Sequence, residues 1–186
     1  MLFTQKTSTH APTRFSPVVT VSLNSIYSLA MNIFWLSPNL TEACRWHVDS
    51  HVIKMPLEHC QLLSTAIHLS TTKVSPKTKI YKPTHANHPC SIWVRESLEN
   101  WLLLRDFTLC LCKEYSFRYG RVHACQSVAE NLPVPKLPSL GVTPLPLAMP
   151  DDVRNEDAFQ AYRNLYTVHK RHLLKWKKRP RPTWSM

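Results

Sequence analysis

PCSIWVRESLENWLLLRDFTLCLCKEYSFRYG, Pro89–Gly120, decides the fold class. Trp93, Val94, Leu98, Trp101, Leu102, Leu109, Cys112 and Tyr115 recur at the spacing of one helical face, with charges between them. Pro89 suits a first helical turn, where its missing N–H is no loss, and Gly120 is a natural left-handed stop. The pattern predicts one helix from Pro89 to Tyr119. About 31 residues at a rise of 1.5 Å each make a rod of about 45 Å, long enough to be a central scaffold.

Upstream, Thr71–His88 is a polar loop carrying Pro76 and Pro83. Before it, Ser37-Pro38 signals the start of a helix running to about Leu69, with Val52, Met55, Leu62, Leu63, Ala66 and Ile67 at helical spacing. Pro56 removes one backbone donor there and is expected to kink or restart that helix. Met31-Asn-Ile-Phe-Trp-Leu reads as an apolar extended run. Downstream, a short helix is expected at His123–Leu132, followed by an extended surface segment carrying Pro133, Pro135, Pro138, Pro144, Pro146 and Pro150. A last helical segment begins at Asp151 or Asp152 and carries Phe159, Tyr162, Leu165, Tyr166 and Leu173. The expectation is an all-α, compact bundle around one long central helix, with a Pro-rich extended segment. Residues 31–186 form the single domain, ending in a basic tail, 169–186.

Only two glycines stand against 15 prolines in 186 residues, so neither a phosphate-cradling Gly-rich loop nor a dinucleotide fingerprint is available. No apolar run reaches the length of about 18 residues that a membrane span requires. Residues 1–30 differ from the rest: ten are Ser or Thr, Lys6 and Arg14 are the sole charges, and every acid lies at Glu42 or later. That stretch reads as an extension ahead of a native-like start at Met31, or as an organellar presequence. The remaining 21 Lys and Arg against 12 acids leave +9 on residues 31–186, a charge suited to a polyanion. Six cysteines without a C-x-x-C pair read as reduced, mostly buried thiols of an intracellular protein, nuclear or cytoplasmic, or organellar if the presequence works.

Two polar clusters and a tail carry candidate chemistry. His47, His51, Lys54 and Glu58 are spaced 4, 3 and 4, which places them on one face of a continuous helix. That face could handle phosphate or base, or be a solvated stripe; His47, His51 and Glu58 could instead form a two-His, one-carboxylate metal site. The loop Tyr81–Pro89 offers Lys82, His85, Asn87 and His88 at a helix start, with Arg95 one to two turns inside, an arrangement suited to phosphate or to simple capping. His169–Met186 holds seven Lys or Arg, Lys170 and Arg171 among them, and no acid. Trp176 and Trp184 are interleaved with those cations, able to stack on bases or to pack on the body; Arg118 and Arg121 are expected to extend the patch.

From Met31 onward the order of features resembles a family of small proteins of phages and large DNA viruses. The resemblance rests on Met31-Asn-Ile-Phe, on His47–Met55, Tyr81–Pro89, Ile92–Ser97 and Phe117–Gly120, and on Ala148-Met-Pro-Asp followed by Ala161-Tyr-Arg. More distantly, His47, Pro56, Asn87-His88, Arg118–Gly120 and Pro182-Thr-Trp follow a layout similar to pyrimidine-dimer DNA glycosylases of the endonuclease V type. That resemblance implies an N-terminal amine nucleophile, here the amine of Met31 if the chain began there, assisted by a helix glutamate. The glutamate's position is occupied by Lys54. Lys54 is then the candidate amine, activated by burial near His47 and His51, with Glu58 as general acid or base.

The leading expectation is thus a nucleic-acid enzyme, a glycosylase or lyase on damaged or modified pyrimidines, needing no metal or other cofactor. A non-catalytic DNA- or RNA-binding accessory protein is the alternative, and the metal-dependent enzyme a third. The expected partner is nucleic acid, DNA before RNA, with no membrane and a monomeric chain.

Overall fold

The computed structural model describes residues 31–186, so the expectations for residues 1–30 lie outside the described residues. Six α-helices and three 3-10 turns make up the regular structure, with no strand among the described residues. The protein is all-α. The helices are α1 (Leu40–Trp46), α2 (Asp49–Leu69), α3 (Pro89–Glu96), α4 (Leu98–Tyr119), α5 (Gln126–Asn131) and α6 (Ala158–His169). The central packing is α2 against α4, with α1, α3 and α5 laid on α4.

The expected continuous first helix is two helices. Asn39, not Ser37, caps α1 by accepting from the Glu42 amide at 3.0 Å. The chain leaves helical geometry at His47 and Val48, whose ψ angles are 135° and 155°. His47 Nδ1 donates to the Ala43 carbonyl at 2.8 Å, so the imidazole satisfies an acceptor that the helix end would otherwise orphan. Beyond the break, α2 runs through Pro56 to Leu69. An interior proline costs about 3 kcal/mol. Each fully buried neighbour, such as Val52, Met55, Leu62 and Leu63, returns about 1.5–3 kcal/mol, so packing outweighs the lost bond.

The long second helix is broken as well, at Ser97, where φ is −141° and ψ 156°. The Ser97 hydroxyl accepts from the Asn100 amide at 3.1 Å and donates to the Gly141 carbonyl at 2.7 Å. The Asn100 side chain donates to the Trp93 carbonyl, at the end of α3, and accepts from the Thr143 amide. Glu99 accepts from the Leu140 and Gly141 amides. The break therefore supplies the polar groups that fasten the Pro-rich segment, which is free of helix and strand from 133 to 150, as expected. Gly120 closes α4 with φ of +67°.

Met31–Leu36 is non-helical and wholly buried. Trp35 stacks on Phe107 of α4 at 4.4 Å, and Asn32 Nδ2 donates to the Ala148 carbonyl at 3.0 Å. The short helix α5 falls inside the expected His123–Leu132. The last helical segment starts later than expected: a 3-10 turn at Asp151–Val153 precedes α6, and Leu173 belongs to a further 3-10 turn.

Candidate functional site

Histidine at 47 and histidine at 51 do not share a helix face, because the break at His47–Val48 separates them. His47 is fully buried beneath Phe107. His51 is 6% exposed, and its Nδ1 lies 2.6 Å from the Tyr166 hydroxyl, with Phe34 packed on its ring. His59, which the spacing argument passed over, is the third imidazole of this core, also against Phe107. Burial pushes the pKa values of His47, His51 and His59 down to about 4, 2 and 3, with the neighbouring His47 charge adding to the latter two. These rings are neutral core groups with no open path to a phosphate. Among the described residues, His47 Nε2 and both His59 nitrogens have no hydrogen-bond partner.

Lys54 and Glu58, both on α2, are one turn apart and form a 2.7 Å ion pair. The lysine side chain is 67% exposed and the glutamate 11%, so the burial expected of Lys54 is absent while the carboxylate sits at the edge of the core. Such a half-exposed pair contributes only about 0.5 kcal/mol to stability. Among the described residues no three His, Cys, Asp or Glu side chains converge as a metal site. Met31, the alternative amine, is buried.

The loop before α3 packs on the C-terminal half of α2. Thr84 and Thr65 exchange hydrogen bonds at 3.1 and 3.2 Å, and Ser64 receives the Tyr81 amide. Lys82, His85 and Asn87 are exposed, and His85 has φ of +48°, a conformation unusual for a residue with a Cβ. His88 Nδ1 accepts from the Cys90 amide at 3.2 Å, and Pro89 has no N–H, so two donors of the first turn are withheld from any anion. Arg95 turns back to the Ala86 carbonyl and Ser91 hydroxyl. This is a capped loop in which only His88 Nε2 of the cap lacks a partner among the described residues; it presents Lys82 and His85 outward and keeps Arg95 for itself.

The C-terminal stretch is not a free tail. The Asp49 amide donates to the Lys175 carbonyl, and the Asp49 carboxylate accepts the Lys177 amide at 2.8 and 3.0 Å. Trp176 Nε1 donates to the Trp46 carbonyl at 2.8 Å, so this indole packs down on the body instead of standing free for a base. Arg179 grips Glu114 through two bonds, at 2.9 and 2.7 Å. Underneath lies Arg118, fully buried, bonded to Glu114 at 2.7 Å, to Asp49 at 2.9 Å and to the Arg45 carbonyl at 2.9 Å. Arg118 is thereby removed from the expected surface patch, every face of its guanidinium being spent internally. Asp49, Glu114 and Arg179 are the anchoring residues that spacing did not pick out. Glu114–Arg118 at i, i+4 was a usable signal, but the partners from α2 and the C-terminus lie more than sixty positions away.

Two acids thus sit beneath a segment whose outer side carries Arg171, Lys175, Lys177, Lys178 and Arg181, all exposed, with half-exposed Lys170 at its start and exposed Arg121 beyond the end of α4. The fold and this surface define a small helical protein with a docked basic ridge. No protein-family model, curated protein or solved structure matches the chain. No helix among the described residues is long and apolar enough to cross a membrane.

Proposed function

We propose that this protein binds nucleic acid through the docked C-terminal ridge. One observation carries the reading: the cations of 170–181 ride on a segment whose backbone is fixed by Asp49 and whose Arg179 is fixed by Glu114. A fixed row of cations meets a phosphate chain without the ordering entropy that a solvated tail would lose. The resemblance to proteins of phages and DNA viruses favours DNA over RNA. The exposed Lys82 and His85 supply a second basic point. The test is a titration of labelled duplex DNA and labelled RNA with the full chain. Tight, salt-sensitive binding of duplex DNA, weaker for RNA, supports the reading; no binding of either at low ionic strength overturns it.

A catalytic reading has one specific observation in its favour. Lys54 Nζ is open to solvent and 2.7 Å from a mostly buried carboxylate. That juxtaposition suits a lysine that first passes a proton to Glu58 and then attacks the sugar C1′ of a damaged nucleotide as the neutral amine. The N–C1′ bond forms as the glycosidic C1′–N bond breaks, and the base leaves with a proton. Borohydride reduction in the presence of abasic-site DNA would trap the adduct. A covalent complex lost in Lys54→Ala supports this chemistry; an adduct that persists in that variant, or none at all, removes Lys54 as nucleophile and leaves the binding role alone.

A further inference from the structure

Between α1 and α4 lies a cleft of about 440 Å³ lined by Cys44, Cys110, Arg45, Lys113, Asp106 and Glu114. Its two thiols meet across the seam in a reciprocal way. Cys44 Sγ lies 4.0 Å from the Phe107 carbonyl, one turn before Cys110, and Cys110 Sγ lies 3.7 Å from the Leu40 carbonyl, one turn before Cys44. Each thiol thus reaches the backbone of the other's helix, and both line the same cleft. Cys44 is buried and Cys110 half-buried, so of the two thiols Cys110 is the more accessible.

We propose that Cys44 and Cys110 form a peroxide-modifiable dithiol, in which Cys110 is the attacked thiol and Cys44 resolves it to a disulfide joining α1 to α4. The neighbouring Cys44 side chain lowers the Cys110 pKa, with Lys113 and Arg45 assisting and burial and Glu114 opposing. Burial raises the Cys44 pKa, so Cys44 keeps its proton, which points to the Phe107 carbonyl. In the first step the Cys110 thiolate attacks one oxygen of hydrogen peroxide. The S–O bond forms, the O–O bond breaks, and the departing hydroxide takes up a proton to become water. In the second, Cys44 sulfur attacks the sulfenic sulfur, the S–S bond forms, and the sulfenic hydroxyl leaves with the Cys44 proton as a second water. Two thiols lose two electrons and one peroxide gains them.

A second thiol pair provides an internal control. Cys60 Sγ contacts the Cys125 carbonyl at 3.7 Å, and Cys60 together with His123 and Tyr81 holds the Cys125 pKa down, to about 4. But Cys60 is fully buried and Cys125 only 4% exposed, with the Tyr81 hydroxyl on its sulfur. Access, not pairing, separates the two.

The experiment treats the reduced, folded full chain with hydrogen peroxide, blocks remaining thiols, and maps peptides by mass spectrometry. The expected result is a Cys44–Cys110 cross-link, with Cys60 and Cys125 still reduced at the same dose. In Cys44→Ser, Cys110 should accumulate as a sulfenic acid that dimedone labels; in Cys110→Ser, position 44 should stay unmodified. Oxidation of Cys60 or Cys125 first, or no cross-link in the wild-type chain while its fold is retained, overturns the proposal. The wild-type map needs no variant, so a serine variant that fails to fold does not affect it.

Discussion

Three imidazoles buried without charge make the molecule's stability depend on pH in one direction. His47, His51 and His59 have folded-state pKa values near 4, 2 and 3, against an ordinary 6.5. Below pH 6.5 the unfolded chain takes up protons that the folded one refuses, so stability falls as pH falls, by up to about 1.4 kcal/mol per histidine per pH unit. The loss ends for His47 near pH 4 and continues lower for the other two. Urea midpoints at pH 7, 6 and 5 should drop steadily below pH 6.5, and a flat profile would show that the rings are solvated. Arg118 is the other decisive residue: Arg118→Met leaves Glu114 and Asp49 without their buried partner and should cost about 3–5 kcal/mol in urea unfolding. A loss under about 1 kcal/mol would place that guanidinium at the surface. Neither role was legible in the sequence. A 4, 3, 4 spacing describes a stripe only if the helix is continuous, and one peptide break at His47 turned a surface reading into a core one. Arg118 read as a surface cation because it stands beside a helix end, whereas its burial comes from Asp49 and from the C-terminal segment.

Among the elements, helix type and register were legible while helix continuity was not. Apolar spacing located α2, α4 and α6, and Gly120 marked the end of α4 because a residue at φ of +67° is strained for any side chain with a Cβ. Pro56 and Ser97 acted against their usual local weights. Proline at 56 left α2 intact because its neighbours are buried, whereas Ser97 ended a helix that its apolar stripe would have continued. The sequence Ser97-Leu-Glu-Asn does contain a capping signal, but its force comes from the Pro-rich segment that Ser97, Glu99 and Asn100 hold. Ser97→Ala removes the cap of α4 and the bond to Gly141 together, and should cost about 1–2 kcal/mol. It should also raise proteolytic cleavage within 133–150. Unchanged stability and cleavage would mean that the segment is held by its apolar contacts alone.

At the scale of the whole molecule, the fold turns a charge surplus into a placed surface. The +9 of residues 31–186 was readable from composition, and so was the clustering of cations after His169. What composition could not supply is that Asp49 and Glu114 would be consumed in fastening this segment, so that it becomes a ridge and not a tail. The two tryptophans that invited a base-stacking reading are part of the fastening: Trp176 and Trp184 pack edge to face, and Trp184 also meets Trp46 and Tyr166. Among the outward cations, Lys178 bonds the Phe117 carbonyl, Arg181 bonds Ser185 and Lys177 lies over the Tyr119 ring. The change to Gln is therefore made at Lys170, Arg171 and Lys175, where it leaves Arg118 and Arg179 undisturbed. Duplex-DNA affinity measured across a range of salt, for the wild-type chain and for that triple variant, tests the account most directly. The prediction is a linear fall of log affinity with log salt in the wild type, and a slope shallower by about 3 in the variant at unchanged thermal stability. Equal slopes for the two chains, or wild-type binding indifferent to salt, would contradict it.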